Sequence, residues 1–583
     1  MPEITVRAGG AAGDGIASVG DVLGKSLSRM GLHVFGLNAY QSVIRGGHVW
    51  FQARASSDPI HSQGDSADVL FALNKETAQI HLPTMSAGST IVYDPEKFDL
   101  ADGDLPVGTK KLAVPTLEIG RKYTSQSILQ NAAGMGAAAF LAGIPFEVLQ
   151  QTLADSFGRK KGEVAEWNIG AAGDGYRFAE KNAAANDHAV KPTGPPKLLM
   201  TGNAAIALGA AAAGCKFYAA YPMTPASTIL HWLAAHAQQL GIVVKQAEDE
   251  IAVVNMAIGA SFAGVRSMCG TSGGGFSLMV EGIGMAGMTE TPLVVVEAQR
   301  AGPSTGLPTK TEQGDLNLML GAGQGDFPRA ILAPTNAGEA YRATVKAFQL
   351  AEDWQTPILV ASDFHLSESI MTVEREEIPF PGPIPSLFTV EPNGGDYKRY
   401  AYTESGVSPR ALPGQPGLQF KAGSDEHDER GHLISDVLSG VPIWVAERAK
   451  MMDKRMRKLE GLRAAGPAPM LEGPTGAALT FVAWGSTVGA IRDATRILTA
   501  KGVTTNLIRI PQIYPLATST VVPMLAAAQR TLLVEANYTG QLGQLLRAET
   551  GIGFPNRFLK YDGEPFAPME IAQKALEVLH NGQ

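Results

Sequence analysis

Between residues 198 and 370 the chain repeats one pattern, a short apolar run broken off by a loop rich in glycine or proline. The runs are "FYAAYP", "SMCGTSGGG", "PLVVVEAQ", "PRAILAPT" and "TPILVASD", with helical stretches between them. Near-continuous apolar strands of this length occur where both faces of a sheet are covered, which predicts a parallel α/β sheet. Open α/β sheets bind ligands beyond the carboxyl ends of their strands, so the strand-end loops are where chemistry is expected.

The flanking regions repeat the theme. Residues 1–185 open with strand-like "EITVRAGG", the glycine turn "GGAAGDGIASVG" and helical "VGDVLGKSLSRMG". "EKNAAANDHAVKPTGPPK" (180–197) is polar, then Pro/Gly-rich, and reads as a linker. From about 471 the strand-like runs return as "ALTFVAWGS", "TTNLIRI" and "RTLLVEANYTG". The predicted fold class is α/β, with three α/β domains at 1–185, 195–375 and 471–583 and an irregular connector at 376–470. A length of 583 residues suits three to four domains.

Composition excludes several roles. A net charge of −8 argues against a nucleic-acid surface. No run approaches the ~18 apolar residues of a membrane span, and "MPEITVRAGG" has no secretory pattern, so a soluble, cytoplasmic protein is expected. The only cysteines are Cys215 and Cys269. Two cannot build a four-cysteine iron–sulfur site, so a redox cluster would have to sit on another chain.

Four local features compete for function. Gly-Asp-Gly occurs at 13–15 and 173–175, with Asn38 and Asn203 as single downstream asparagines, which makes neither a convincing Mg²⁺-diphosphate motif. The first of these turns also lacks dinucleotide spacing and reads equally as a tight turn. "AGSDEHDERGH" (422–432) mixes His427 and His432 with acids, but reads as a hydrogen-bonded loop rather than a metal site, and no metal ligand is assigned. The basic helix over 447–463 reads as a solvated face, with docking of an acidic partner or a phosphate as the alternative, and "GRKKG" (158–162) reads the same way, with a phosphate contact as its alternative.

Three strand-end loops are more informative. "YPMTPAST" (221–228) poses Thr224 between prolines, "GTSGGGFSLM" (270–279) offers a hydroxyl and bare backbone, and "EAQRAGPSTG" (297–306) presents Arg300. Together they suggest an anion pocket. Beside them "EDEIAVVNMAIGASFAG" (248–264) sets three acids against an apolar helix. First-turn acids favour the helix dipole, but an acid meant for burial would serve chemistry. Helical spacing does not choose among Glu248, Asp249 and Glu250, since each has apolar residues three and four positions on.

These segments resemble the pyrimidine-binding domain of the 2-oxoacid:ferredoxin oxidoreductases. "FVAWGSTVGA" (481–490) and "VEANYTGQLGQLL" (534–546) resemble that family's transketolase-like C-terminal domain, while "GGAAGDGIASVG" and "YQSVIRGGH" (40–48) resemble its gamma domain. Gamma followed by alpha on one chain is similar to the alpha subunit of the 2-oxoglutarate-specific type. The resemblance implies oxidative decarboxylation of a 2-oxoacid, 2-oxoglutarate first and pyruvate, branched-chain or aryl oxoacids as alternatives, with CoA as co-substrate and ferredoxin as electron acceptor, or the reverse carboxylation. It implies thiamine diphosphate shared with a beta subunit that carries the diphosphate site, Mg²⁺ and a 4Fe–4S cluster, in a dimer of alpha–beta pairs. The family pattern of an acid, small apolar residues and a glycine nine positions on selects Glu250, with Gly259, as the group that activates the cofactor. Thr224 and Arg300 match oxoacid-contacting positions, and Pro222, Thr271, Ser272 and Gly273 match the cofactor-binding loops. Arg45 has no assigned role. The rival of another class is a nucleotide- or CoA-binding module without redox chemistry.

Overall fold

The computed structural model describes residues 3–41, 47–124, 129–158, 162–385, 397–434 and 443–581. It is α/β throughout, with three sheets flanked by helices. The middle sheet has seven strands, in the order Gln512–Tyr514, Ala330–Leu332, Pro357–Asp363, Leu293–Gln299, Ser267–Thr271, Phe217–Ala220, Val243–Gln246. Every pairing is parallel except that of Gln512–Tyr514. The three strands running from Ser267 to Pro357 in this order are buried along their whole length, as double-sided coverage requires. One face carries helices Gly202–Ala212, Ser227–Leu240 and Ala337–Trp354, the other Glu250–Phe262 and Gly273–Met288.

The sheets cross the divisions drawn from composition. Strands Leu198–Thr201 and Ile370–Val373 flank the middle domain in sequence but extend the eight-stranded N-terminal sheet, where Ile370 and Met371 pair with Gly36 and Phe35. Gln512–Tyr514 lies among the C-terminal strands in sequence yet edges the middle sheet. One apolar cluster then runs from Val254, Phe276 and Val295 to Trp484, Ile508 and Leu533 of the C-terminal sheet. The middle domain is thereby clamped on both sides.

The connector is irregular from 378 to 385 and through 397–434, and then forms helices Ile443–Met456 and Lys458–Ala465. The solvated basic face expected here is overturned at three positions, because Lys454, Arg455 and Lys458 are buried. Lys454 Nζ and Lys458 Nζ reach Glu290 at 2.5 and 2.6 Å, and Arg455 forks onto Glu426. Glu290 itself is wholly buried at φ 50, in the left-handed region, and its carbonyl accepts from Arg399 at 2.8 Å. Periodicity could not show this, because the acid that draws the lysines inward is more than 160 residues away in sequence.

Candidate active site

The acid triplet is sorted by the geometry of one helix start. Asp249, in extended conformation, is the N-cap of helix Glu250–Phe262, and its carboxylate accepts from Ala252 N at 2.8 Å. Glu248 lies outside the helix and is exposed, whereas Glu250, the first helical residue, turns inward and is 3 % exposed. Its Oε1 accepts from the Thr271 hydroxyl at 3.2 Å, at the carboxyl end of strand Ser267–Thr271. Gly275, in the first turn of helix Gly273–Met288, faces both groups, and a Cβ there would collide with the Glu250 carboxylate and the Thr271 hydroxyl. The glycine loop therefore opens room beside a buried carboxyl. Ser272, the helix N-cap, is wholly buried and its hydroxyl has no hydrogen-bond partner among the described residues.

Thr224 and Arg300 also come together. Arg300 Nη1 donates to the Thr224 carbonyl at 2.8 Å, fixing the loop after strand Phe217–Ala220 against the loop after Leu293–Gln299. Burial pulls the guanidinium below its ordinary range, opposed by Asp315. Pro222 is exposed at the rim, next to Tyr221. Neither Ser227 nor Thr228 caps the following helix, whose N-cap is Ala226. Thr271 Oγ1 lies 3.8 Å from Met223 Sδ, so the Glu250 cluster and the Thr224 loop share a wall.

Sequence reasoning missed the acids behind this wall. Glu297 is wholly buried in strand Leu293–Gln299, and Asp315 follows it around the loop. Burial pushes the Glu297 carboxyl well up, and Asp315 and Asp363 push it further. Burial also raises Asp315, and Glu312 is pushed up to about 7 by burial and by Asp315. A Cβ on Gly273 would strike the Asp315 carboxylate, so the bare backbone expected to receive an anion already faces a carboxyl of the chain itself. The available signal was an acid inside the otherwise apolar "VVVEAQ".

This donor set fits one half of thiamine diphosphate. An aminopyrimidine offers ring nitrogens and an amine, which suit a buried carboxyl and an unpartnered hydroxyl. The diphosphate half, which needs cations or metal-bridged anions, does not suit a floor of carboxyl groups. Neither Gly-Asp-Gly provides it. Gly175 sits inside helix Gly162–Asn182 and packs on the Ala133 carbonyl, while Gly13 and Gly15, at φ 100 and 81, make the strand-to-helix turn before Ile16. Asn38 lies in strand His33–Ala39, and Asn203 hydrogen-bonds the Pro225 carbonyl.

Elsewhere, His427 is buried with Nδ1 on the Asp425 carbonyl at 3.0 Å, and His432 pairs with Asp428 at 3.5 Å. No group of three or more His, Cys, Asp or Glu is placed to hold a metal ion among the described residues. No helix among them is long and apolar enough to cross a membrane. Arg45 and the Arg159–Lys161 portion of "GRKKG" lie outside the described residues.

Residues 5–178 match the family described as pyruvate ferredoxin/flavodoxin oxidoreductase, and residues 208–442 the thiamine diphosphate-binding part of pyruvate flavodoxin/ferredoxin oxidoreductase. The 2-oxoacid:ferredoxin oxidoreductase subunit alpha of Sulfolobus sp is 30 % identical, over 99 % of this chain and 97 % of its own. Subunit KorA of the 2-oxoglutarate oxidoreductase of Mycobacterium tuberculosis is 29 % identical over 94 % of this chain and 87 % of its own. A solved 2-oxoglutarate:ferredoxin oxidoreductase from Magnetococcus marinus, with 2-oxoglutarate, coenzyme A and succinyl-CoA bound, superposes with a TM-score of 0.91 at 34 % identity, covering 99 % of this chain and all of that one. With these near full-length matches, the chain belongs to the 2-oxoacid:ferredoxin oxidoreductase family, as an alpha subunit with its gamma domain fused at the N-terminus.

Proposed function

We propose that this chain is the alpha subunit of an enzyme that oxidatively decarboxylates 2-oxoglutarate with CoA to succinyl-CoA, CO₂ and reduced ferredoxin, or runs the reverse carboxylation. The observation that carries the reading is the buried Glu250 carboxyl, bound by Thr271 and faced by the Cβ-free Gly275. The choice of 2-oxoglutarate rests on the relatives named for it and on the Magnetococcus marinus enzyme that binds it. Thiamine diphosphate, when bound, supplies an electron sink for the carbon that loses CO₂.

Within this chain Glu250 holds a ring nitrogen of the pyrimidine and moves a proton there, and Thr271, Ser272 and Gly273 line the ring's pocket. Pro222 closes its rim. Arg300 takes the oxoacid carboxylate as a charge-assisted donor, and the Thr224 loop sets its place. The diphosphate, Mg²⁺ and a 4Fe–4S cluster are assigned to a beta subunit, a reading supported by a chain with only two cysteines, too few for such a cluster. Those thiols also suit a reducing, cytoplasmic setting. A dimer of alpha–beta pairs passing electrons to ferredoxin completes the reading.

The test is reconstitution with the partner subunit, followed by viologen reduction with a panel of 2-oxoacids and CoA. Wild type should prefer 2-oxoglutarate. Glu250→Gln should lower turnover by about 100-fold or more, the scale of a positioned proton-transfer group, and slow exchange of the thiamine C2 proton in parallel. Asp249→Asn is the control, because it disturbs the same helix start without touching the pocket. Normal C2 exchange in Glu250→Gln would sink the assignment.

A further inference from the structure

The loop that carries Thr224 is held from two sides. Arg300 takes the Thr224 carbonyl, and Asn203 Nδ2 donates to the next carbonyl, that of Pro225, at 2.7 Å. Asn203 is wholly buried at the start of helix Gly202–Ala212 and also donates to the Thr228 hydroxyl at 2.7 Å. That hydroxyl in turn donates to Glu368 Oε1 at 3.0 Å. Glu368 ends the short helix Phe364–Glu368, directly after strand Pro357–Asp363 and before the strand that joins the N-terminal sheet. It stands at the junction of two domains. From the N-terminal side it meets Tyr40, whose ring lies 5.8 Å from that of Phe364.

We infer that Glu368 is a positioning residue of the oxoacid pocket, acting through Thr228 and Asn203 to set the Pro225 side of the segment whose Thr224 side Arg300 holds. This inference rests on the function proposed above. Such a chain of hydrogen bonds transmits the state of its terminal carboxyl, because a neutral carboxyl both donates and accepts while a carboxylate only accepts. The titratable groups around it do not neutralise it. The Tyr40 phenol is pushed well up by burial and by Glu368, and stays uncharged. His365, on the same helix, is pushed down to about 4 by burial and is also neutral near pH 7. Burial, opposed by the Thr228 and Asn203 hydrogen bonds, pushes Glu368 itself up to about 7. Below that pH the carboxyl adds no charge near a pocket built for an anion. Above it a negative charge appears three hydrogen bonds from the Pro225 carbonyl, and oxoacid binding weakens.

The experiment uses the full alpha–beta complex, with viologen reduction by 2-oxoglutarate and CoA followed across about pH 6 to 8.5. Wild-type KM for the oxoacid should rise as pH passes about 7, with kcat changing less. Glu368→Gln should cost about 2- to 3-fold in kcat/KM at the acid end and abolish the rise in KM, because the amide cannot ionise. Glu368→Ala should raise KM by about 3- to 10-fold at every pH, the scale of a lost hydrogen-bonded support. If the alanine variant does not fold, the isosteric glutamine carries the test alone. A wild-type enzyme that reduces the dye while Glu368→Gln keeps the pH-dependent rise in KM overturns the inference and leaves the proposed function standing. A wild-type complex inert to every 2-oxoacid overturns both.

Discussion

Glu290 and Glu297 lie seven positions apart, at the two ends of one buried strand region, and both are fully removed from solvent. Their states are opposite. Glu290, gripped by Lys454 and Lys458 with Arg399 nearby, is held well below the ordinary carboxylate range. Glu297, buried with Asp315 and Asp363 as its acidic neighbours and sharing a hydrogen bond with the Asp315 carboxyl, is pushed well above it. Burial works against ionisation at both, so the sign of the partner decides the outcome. One end of the strand is locked as an ion pair with the connector, and the other gathers acids whose ionisation burial disfavours. The lock holds structure, while the pocket acids sit close to Arg300 and Gly273, where charge would compete with an anionic substrate.

The largest expected effect comes from breaking the lock. Glu290→Gln leaves Lys454 and Lys458 buried without their counter-charge, and should cost about 3–5 kcal/mol of stability, read as a lower denaturant midpoint and faster proteolysis of the connector. The pH sign follows from the depressed carboxyl. Its contribution is present above the unfolded value of ~4.3 and is lost only as pH falls through the lower folded value. Burial lowers Lys454 to about 7, so Glu290 is reported alone only below that pH, and connector proteolysis in wild type should be unchanged from about pH 6 to about pH 5. Protection that fades within that interval would mean that the lysines do not hold Glu290 ionised.

An intermediate effect is expected on the pocket side. Arg300→Ala removes both the support of the Thr224 carbonyl and the cation that opposes Asp315, and should lower kcat/KM for the oxoacid by about 10- to 100-fold, or ~1.5–3 kcal/mol. Thiamine diphosphate content should be unaltered. Unchanged kinetics would remove Arg300 from the pocket. The smallest effect should come from Glu297→Gln. An amide replaces a carboxyl that is uncharged in the fold, so stability should change by less than about 1 kcal/mol at about pH 4, where the unfolded chain keeps that proton as well. Because the folded Glu297 is raised, its wild-type contribution is fully present below the unfolded value and lost as pH rises through the folded one. Glu297→Gln should abolish that loss on the alkaline side. A destabilisation comparable to that of Glu290→Gln would show that Glu297 is charged and paired, and the contrast between the two acids would fail.

The parallel strands of the middle sheet, their Gly/Pro loops, the α/β class and the family could all be read in the chain, because each is a local pattern of polarity and turn residues. So could an acid set against the apolar helix start in the Glu248–Glu250 triplet. Which of the three turns inward became visible only when Asp249 was seen capping the helix and Glu250 meeting Thr271. The roles of Lys454 and Lys458, of Glu297 beside Asp315, and of Glu368 behind Thr228 were likewise decided only by the tertiary structure. Periodicity records which residues share a face with near neighbours. The charge state of a buried acid depends instead on groups brought against it from distant parts of the chain, and a local pattern carries no trace of them.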